Sequence, residues 1–151
     1  HHEVDEVIGG LKAKRKTYIP TGLIWGLRSL SAEAPFVGAQ DHADFAAEDG
    51  RKVLMLMSDG ANTVSLNGSG KHSKSDTSKA NSYTEEICAE IKAQGIEVFT
   101  IAFDLNDKDT EDLLKDCATD DGYFYDADDA EELKETFVAI GRDLAELAIS
   151  Q

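Results

Sequence analysis

Residues 51–60 read Arg-Lys-Val-Leu-Met-Leu-Met-Ser-Asp-Gly, and this stretch constrains the fold more than any other. Val53 to Met57 is apolar at every position, without the alternation of a half-buried strand. A short, continuous apolar run bounded by turn residues reads as a strand buried on both faces, the habit of parallel sheets. Its carboxyl end carries Asp59, followed by Gly60. Open α/β sheets bind ligands in the crevice outside the carboxyl ends of their strands. Asp59 is therefore the first candidate for function; the competing reading is a plain Asp-Gly turn.

Two later stretches extend the pattern. Ile96 to Phe103 is rich in β-branched and aromatic residues, reads as a second strand and ends at Asp104. Tyr123 to Tyr125 is a shorter third strand. Helices alternate with these strands. One is expected from Asn81 or Ser82 to about Gln94, with Ser82 and Glu85 as a capping box and Gly95 as its stop. Another runs from Thr110 to Ala118. The last, from about Asp129 to Leu147, has Leu133, Phe137, Ile140, Leu144 and Leu147 as its apolar stripe.

Two helices precede the first strand. Glu3 to Lys16 places Val4, Val7, Ile8 and Leu11 at helical spacing, weakened by Gly9-Gly10 and ending in Lys12, Lys14, Arg15 and Lys16. The next uses Leu23, Ile24, Leu27 and Leu30, opened by Thr21 as a cap or by Pro20 in its first turn, with Trp25 at its edge. Residues 31–50 and 61–81 read as long loops.

Strands alternating with helices imply an α/β fold with a mainly parallel sheet and right-handed crossovers. Cys88 and Cys117 fall on the buried sides of neighbouring crossover helices, a placement open to either a disulfide or two buried thiols. The run Val53–Met57 is too apolar for an exposed sheet edge, and nothing in residues 1–50 supplies a strand to cover it. The chain accordingly reads as the C-terminal portion, residues 1–151, of a single larger domain.

A net charge of −15 disfavours nucleic acid and anionic membrane surfaces as partners. No apolar stretch is long enough to span a bilayer. The chain opens with His1-His2 rather than Met, so an export signal or membrane anchor is expected only upstream. Asp41, His42 and Asp44 read as solvated loop residues rather than a metal site. The GSGK within residues 61–81 lacks the spacing of a phosphate-binding loop. An aspartyl phosphotransfer enzyme built on Asp59 would need a lysine at a later strand end, and Tyr125-Asp126 supplies none. No Ser-His-Asp or Cys-His arrangement is readable.

The chain resembles a von Willebrand factor type A (VWA) domain. Thr17 to Leu23 (TYIPTGL) is similar to that family's threonine loop, Ser58-Asp59-Gly60 to its strand-ending motif, and Gly95 to Phe103 (GIEVFTIAF) to its next strand. TGLIWGLRSLS, SDGANT and the contexts of both cysteines are most like TadG-like proteins of tight-adherence (Flp) pilus assembly. The resemblance implies a partial Rossmann-like three-layer fold whose first strands are missing. It also implies a bacterial cell-envelope location, a protein partner such as a pilus or secretion-machinery component, no catalysis, and a Cys88–Cys117 disulfide. The family holds Mg²⁺ at the sheet's carboxyl edge. Carried over by motif, Thr17 and Asp59 are the metal ligands here, whereas the family's D-x-S-x-S element is not found. A hydroxyl and one carboxylate supply only part of the oxygen shell that Mg²⁺ requires, so weak or no binding is expected of this chain alone.

Overall fold

A computed structural model describes residues 16–74 and 76–149. Except for Lys16, the helix expected over Glu3–Lys16 lies outside them.

Helix α1, Ile19–Leu30, has Pro20 in its first turn, where a missing N–H costs nothing. Thr21 is not its cap. The preceding residue is Tyr18, which makes no side-chain cap bond. Instead the Ile19 N–H donates to Asn62 Oδ1 at 2.8 Å, so a distant loop satisfies the helix end. Residues 31–50 are not wholly loop, because they contain the short helix α2, His42–Ala47. Asp41 caps it, accepting from the N–H groups of Ala43 and Asp44.

Strand β1, Val53–Ser58, follows. Residues 61–81 hold a small antiparallel hairpin, β2 (Ser65–Leu66) and β3 (His72–Ser73). Helix α3, Thr77–Ala93, then starts ahead of the expected Asn81 or Ser82. Asp76, at φ 60°, turns the chain into it, so Ser82 and Glu85 lie inside the helix and form no capping box. Gly95 ends α3 at φ 75°, a left-handed stop that favours glycine. Strand β4 is Glu97–Phe103 and helix α4 is Lys108–Cys117, capped by Asp107. A 3₁₀ turn, Asp121–Tyr123, leads to strand β5, Phe124–Ala127, and helix α5 spans Ala130–Ile149.

The main sheet is parallel, in the order β1-β4-β5. Alternation along the strands sorts the core into two faces. On the first face Leu54 and Val98 pack with Ile19, Leu23, Ile91 and the disulfide-bonded pair Cys88–Cys117, whose Cα atoms are 5.2 Å apart. Helices α1, α3 and α4 cover this face. On the second, Phe99 and Ile101 pack beneath Ile140 of α5. The result is the expected α/β three-layer arrangement. β1 has a strand on one side only, and among the described residues nothing pairs with its outer edge.

Candidate functional site

Parallel strands place all their carboxyl ends on one rim, and β1 ends there in Ser58-Asp59-Gly60. Ser58 Oγ donates to the Gly60 carbonyl at 2.8 Å, bending the chain just after the strand. Ser58 is buried by this turn, whereas Asp59 between them is exposed. No hydrogen bond or ion pair engages the Asp59 carboxylate among the described residues.

Thr17 reaches the same rim through the backbone. Its N–H donates to Thr63 Oγ1 at 2.7 Å, and its carbonyl accepts from the Thr63 N–H at 3.0 Å. Thr63 lies four residues beyond Asp59 in the loop leaving β1. The Thr17 loop is thus tied to the Asp59 loop, and the Thr17 hydroxyl has no hydrogen-bond partner among the described residues.

Asn62 organises the rim, and the sequence reading overlooked it. The residue is buried, with its Oδ1 on the Ile19 N–H. Its Nδ2 donates to Asn81 Oδ1 at 2.9 Å and Thr84 Oγ1 at 3.5 Å. One side chain thereby joins the start of α1, the exit of β1 and the first half of α3. The available signal was a lone amide inside SDGANT, which spacing rules do not single out.

Asp104 ends β4 on the same rim, held at φ 47° with its N–H on the Ala127 carbonyl at 2.9 Å. Asp107 caps α4 and is thereby occupied. Asp126 is held above the ordinary carboxylate range by partial burial, then by Asp128 and Glu111.

Asp59 and Thr17 are hard oxygen donors of the kind Mg²⁺ accepts. Among the described residues no three His, Cys, Asp or Glu side chains converge as a metal site. As a donor set, one carboxylate and one hydroxyl would supply only part of the oxygen shell of such a cation. Asp41, His42 and Asp44 do not form a site. Asp41 is a cap, and His42 lies against Gly95 at the end of α3.

The von Willebrand factor type A domain model matches residues 37–139, more than half of the chain. The chain belongs to the VWA family. That match includes Asp59 and both cysteines and stops short of Thr17. Among solved structures the VWA chain is similar to the pilus adhesin SpaC from Lactobacillus rhamnosus GG, with TM-score 0.66, 16% identity and 93% of this chain covered. SpaC in its open conformation aligns with TM-score 0.62 at 16% identity over 89% of the chain. The chain spans 20% of each SpaC chain. Proximal thread matrix protein 1 from the mussel byssus is similar with TM-score 0.51 at 16% identity, over 97% of this chain and 28% of that one. At such identities these likenesses show the fold alone. No curated protein sequence matches the chain.

Proposed function

We propose that this VWA chain is a non-enzymatic protein-binding module of the bacterial cell envelope, acting in pilus assembly in the manner of TadG-like proteins. In this reading Asp59 and Thr17 are part of a metal-ion-dependent adhesion site: they would help hold a Mg²⁺, which would supply Lewis acidity toward an acidic partner group. The chain is the later portion of the domain, and the remaining ligands come from a strand at the outer edge of β1.

The observation that carries the reading is the Asp59 carboxylate, left without a protein partner beside a Thr17 loop pinned to its own loop through Thr63. Paramagnetic Mn²⁺ tests it. Line broadening in amide spectra is expected to centre on Asp59, Gly60 and Thr17, and to vanish in Asp59→Ala. Broadening spread over the acidic surface without that centre overturns the site. Calorimetry should show at most weak Mg²⁺ binding, and tight binding would sink the partial-site assignment. A structural VWA fragment without a live site is the second reading, favoured by Asp59 having no second acid, histidine or cysteine cluster converging with it among the described residues.

A further inference from the structure

The β2–β3 hairpin turns through Asn67-Gly68-Ser69-Gly70-Lys71, and all five residues are exposed. Two backbone bonds close this tip. The Asn67 N–H donates to the Lys71 carbonyl, and the Gly70 N–H donates to the Asn67 carbonyl, each at 2.9 Å. Asn67 Oδ1 accepts two further backbone N–H groups, from Ser69 and Lys71, each at 3.0 Å. Neither Asn67 Nδ2 nor the Gly68 N–H makes a hydrogen bond among the described residues. A polarised side-chain carbonyl, a free amide nitrogen on it and an uncommitted backbone nitrogen thus lie within one residue step.

The chain has four asparagines, and Asn67 differs from the other three. Asn62 is buried, its Nδ2 donates to Asn81 Oδ1, and β-branched Thr63 follows it. Asn81 is held by that same bond and is followed by Ser82. Asn106 is exposed, but Asp107 follows it, with Asp104 and Asp109 close in sequence. Asn67 alone precedes a glycine, whose nitrogen no side chain shields. The fold does not crowd that glycine either, since a Cβ on Gly68 would meet nothing within 4 Å. Residues 60–75 hold Lys71, His72 and Lys74 and no acid. Nearby cations favour the deprotonated form of a nitrogen that must lose its proton to react.

We propose that Asn67 is a self-modification site, converted by the Gly68 nitrogen and water into aspartate and isoaspartate. The deprotonated Gly68 nitrogen attacks Asn67 Cγ, and a nitrogen–carbon bond forms. The negative charge that develops on Oδ1 is met by the Ser69 and Lys71 N–H groups already in place. The Cγ–Nδ2 bond then breaks, and Nδ2 takes up the proton and leaves as ammonia. Water opens the resulting succinimide at either carbonyl. Opening at Cγ yields aspartate; opening at the backbone carbonyl yields isoaspartate, which routes the chain through one extra carbon. The net change is amide plus water to acid plus ammonia, with no change of oxidation state. It places a negative charge in the cationic tip between β2 and β3.

The full 151-residue chain is held folded at mildly alkaline pH for weeks and sampled by tryptic digestion and mass spectrometry. Digestion in heavy-oxygen water marks any conversion that occurs during work-up. Peptide Val53–Lys71 carries Asn62 and Asn67 together, so fragment ions compare the two within one molecule. The expected result is an amide-to-acid mass gain at Asn67 in two chromatographic forms, with Asn62 unchanged. Asn67→Gln should abolish it. Gly68→Ala, which fits the hairpin without a clash, should slow it by about an order of magnitude while amide spectra show β2–β3 intact. An Asn67 amide that survives in the folded chain overturns the proposal, whether or not the urea-unfolded chain converts. Equal conversion at Asn62 or Asn106 overturns it too, as does a Gly68→Ala rate matching the parent.

Discussion

The two faces of the sheet are made from the same strands but finished differently. The first face is covered by three helices and cross-linked by Cys88–Cys117, and Leu54, Val98 and Thr100 are buried there. Among the described residues the second face has α5 alone, which protects Phe99 and Ile101 but leaves Met55 and Met57 open. The β1 strand therefore contributes to a closed core on one side and to an accessible surface on the other. Stability should concentrate in the first face and in β4.

The largest expected effect is on the cross-link. Replacing Cys88 and Cys117 together with alanine releases a loop closed over a separation of 29 residues, which should cost about 3–4 kcal/mol in urea unfolding. A change below about 1 kcal/mol would show that the first face does not depend on it. Next, Ile101→Ala removes a fully buried side chain from the central strand, at about 3 kcal/mol. Asn62→Ala should cost about 2 kcal/mol, because the Ile19 N–H and the α3 groups lose their buried partner. Amide exchange at the start of α1 should accelerate in the same variant.

Alkaline pH tests the second face. Tyr123 and Tyr125 pack there, and burial raises both phenols above their ordinary 10.0, reinforced by Glu97 and Asp143 respectively. A raised folded value means that the folded state holds the proton longer. The associated stability is complete below about pH 10 and is lost as pH rises through the raised folded values. Absorbance titration should show late ionisation of these two phenols, with the loosening of α5 following it. The smallest effect belongs to Met57→Lys, expected within about 0.5 kcal/mol of the parent. A large loss there would mean that the outer half of β1 is not open.

Strands were the most legible elements. Val53–Met57 and Ile96–Phe103 lie within one residue of β1 and β4, because a continuous apolar run bounded by turn residues has few other solutions. Helix starts were less legible. The capping box at Ser82 was chemically sound, yet α3 begins at Thr77, where Asp76 in the left-handed region leads out of the β2–β3 hairpin. Helix α2 escaped notice because six residues carry too little periodicity, although its cap Asp41 was in view. At the rim, motif resemblance singled out Asp59 and Thr17, but Asn62 and Thr63 emerged only with the fold, since their partners lie 43 and 46 residues away.

Composition and pattern by themselves determined that the chain forms a parallel α/β sheet and that an acid ends its most apolar strand. These follow from burial and from backbone geometry, which act over a few residues. Tertiary structure alone decided the register Leu54 to Val98 and the tie between Thr17 and Thr63, and it settled the open choice between a Cys88–Cys117 disulfide and two buried thiols. Each depends on which distant surfaces meet, and pairwise packing across tens of residues leaves no local periodic trace in the chain.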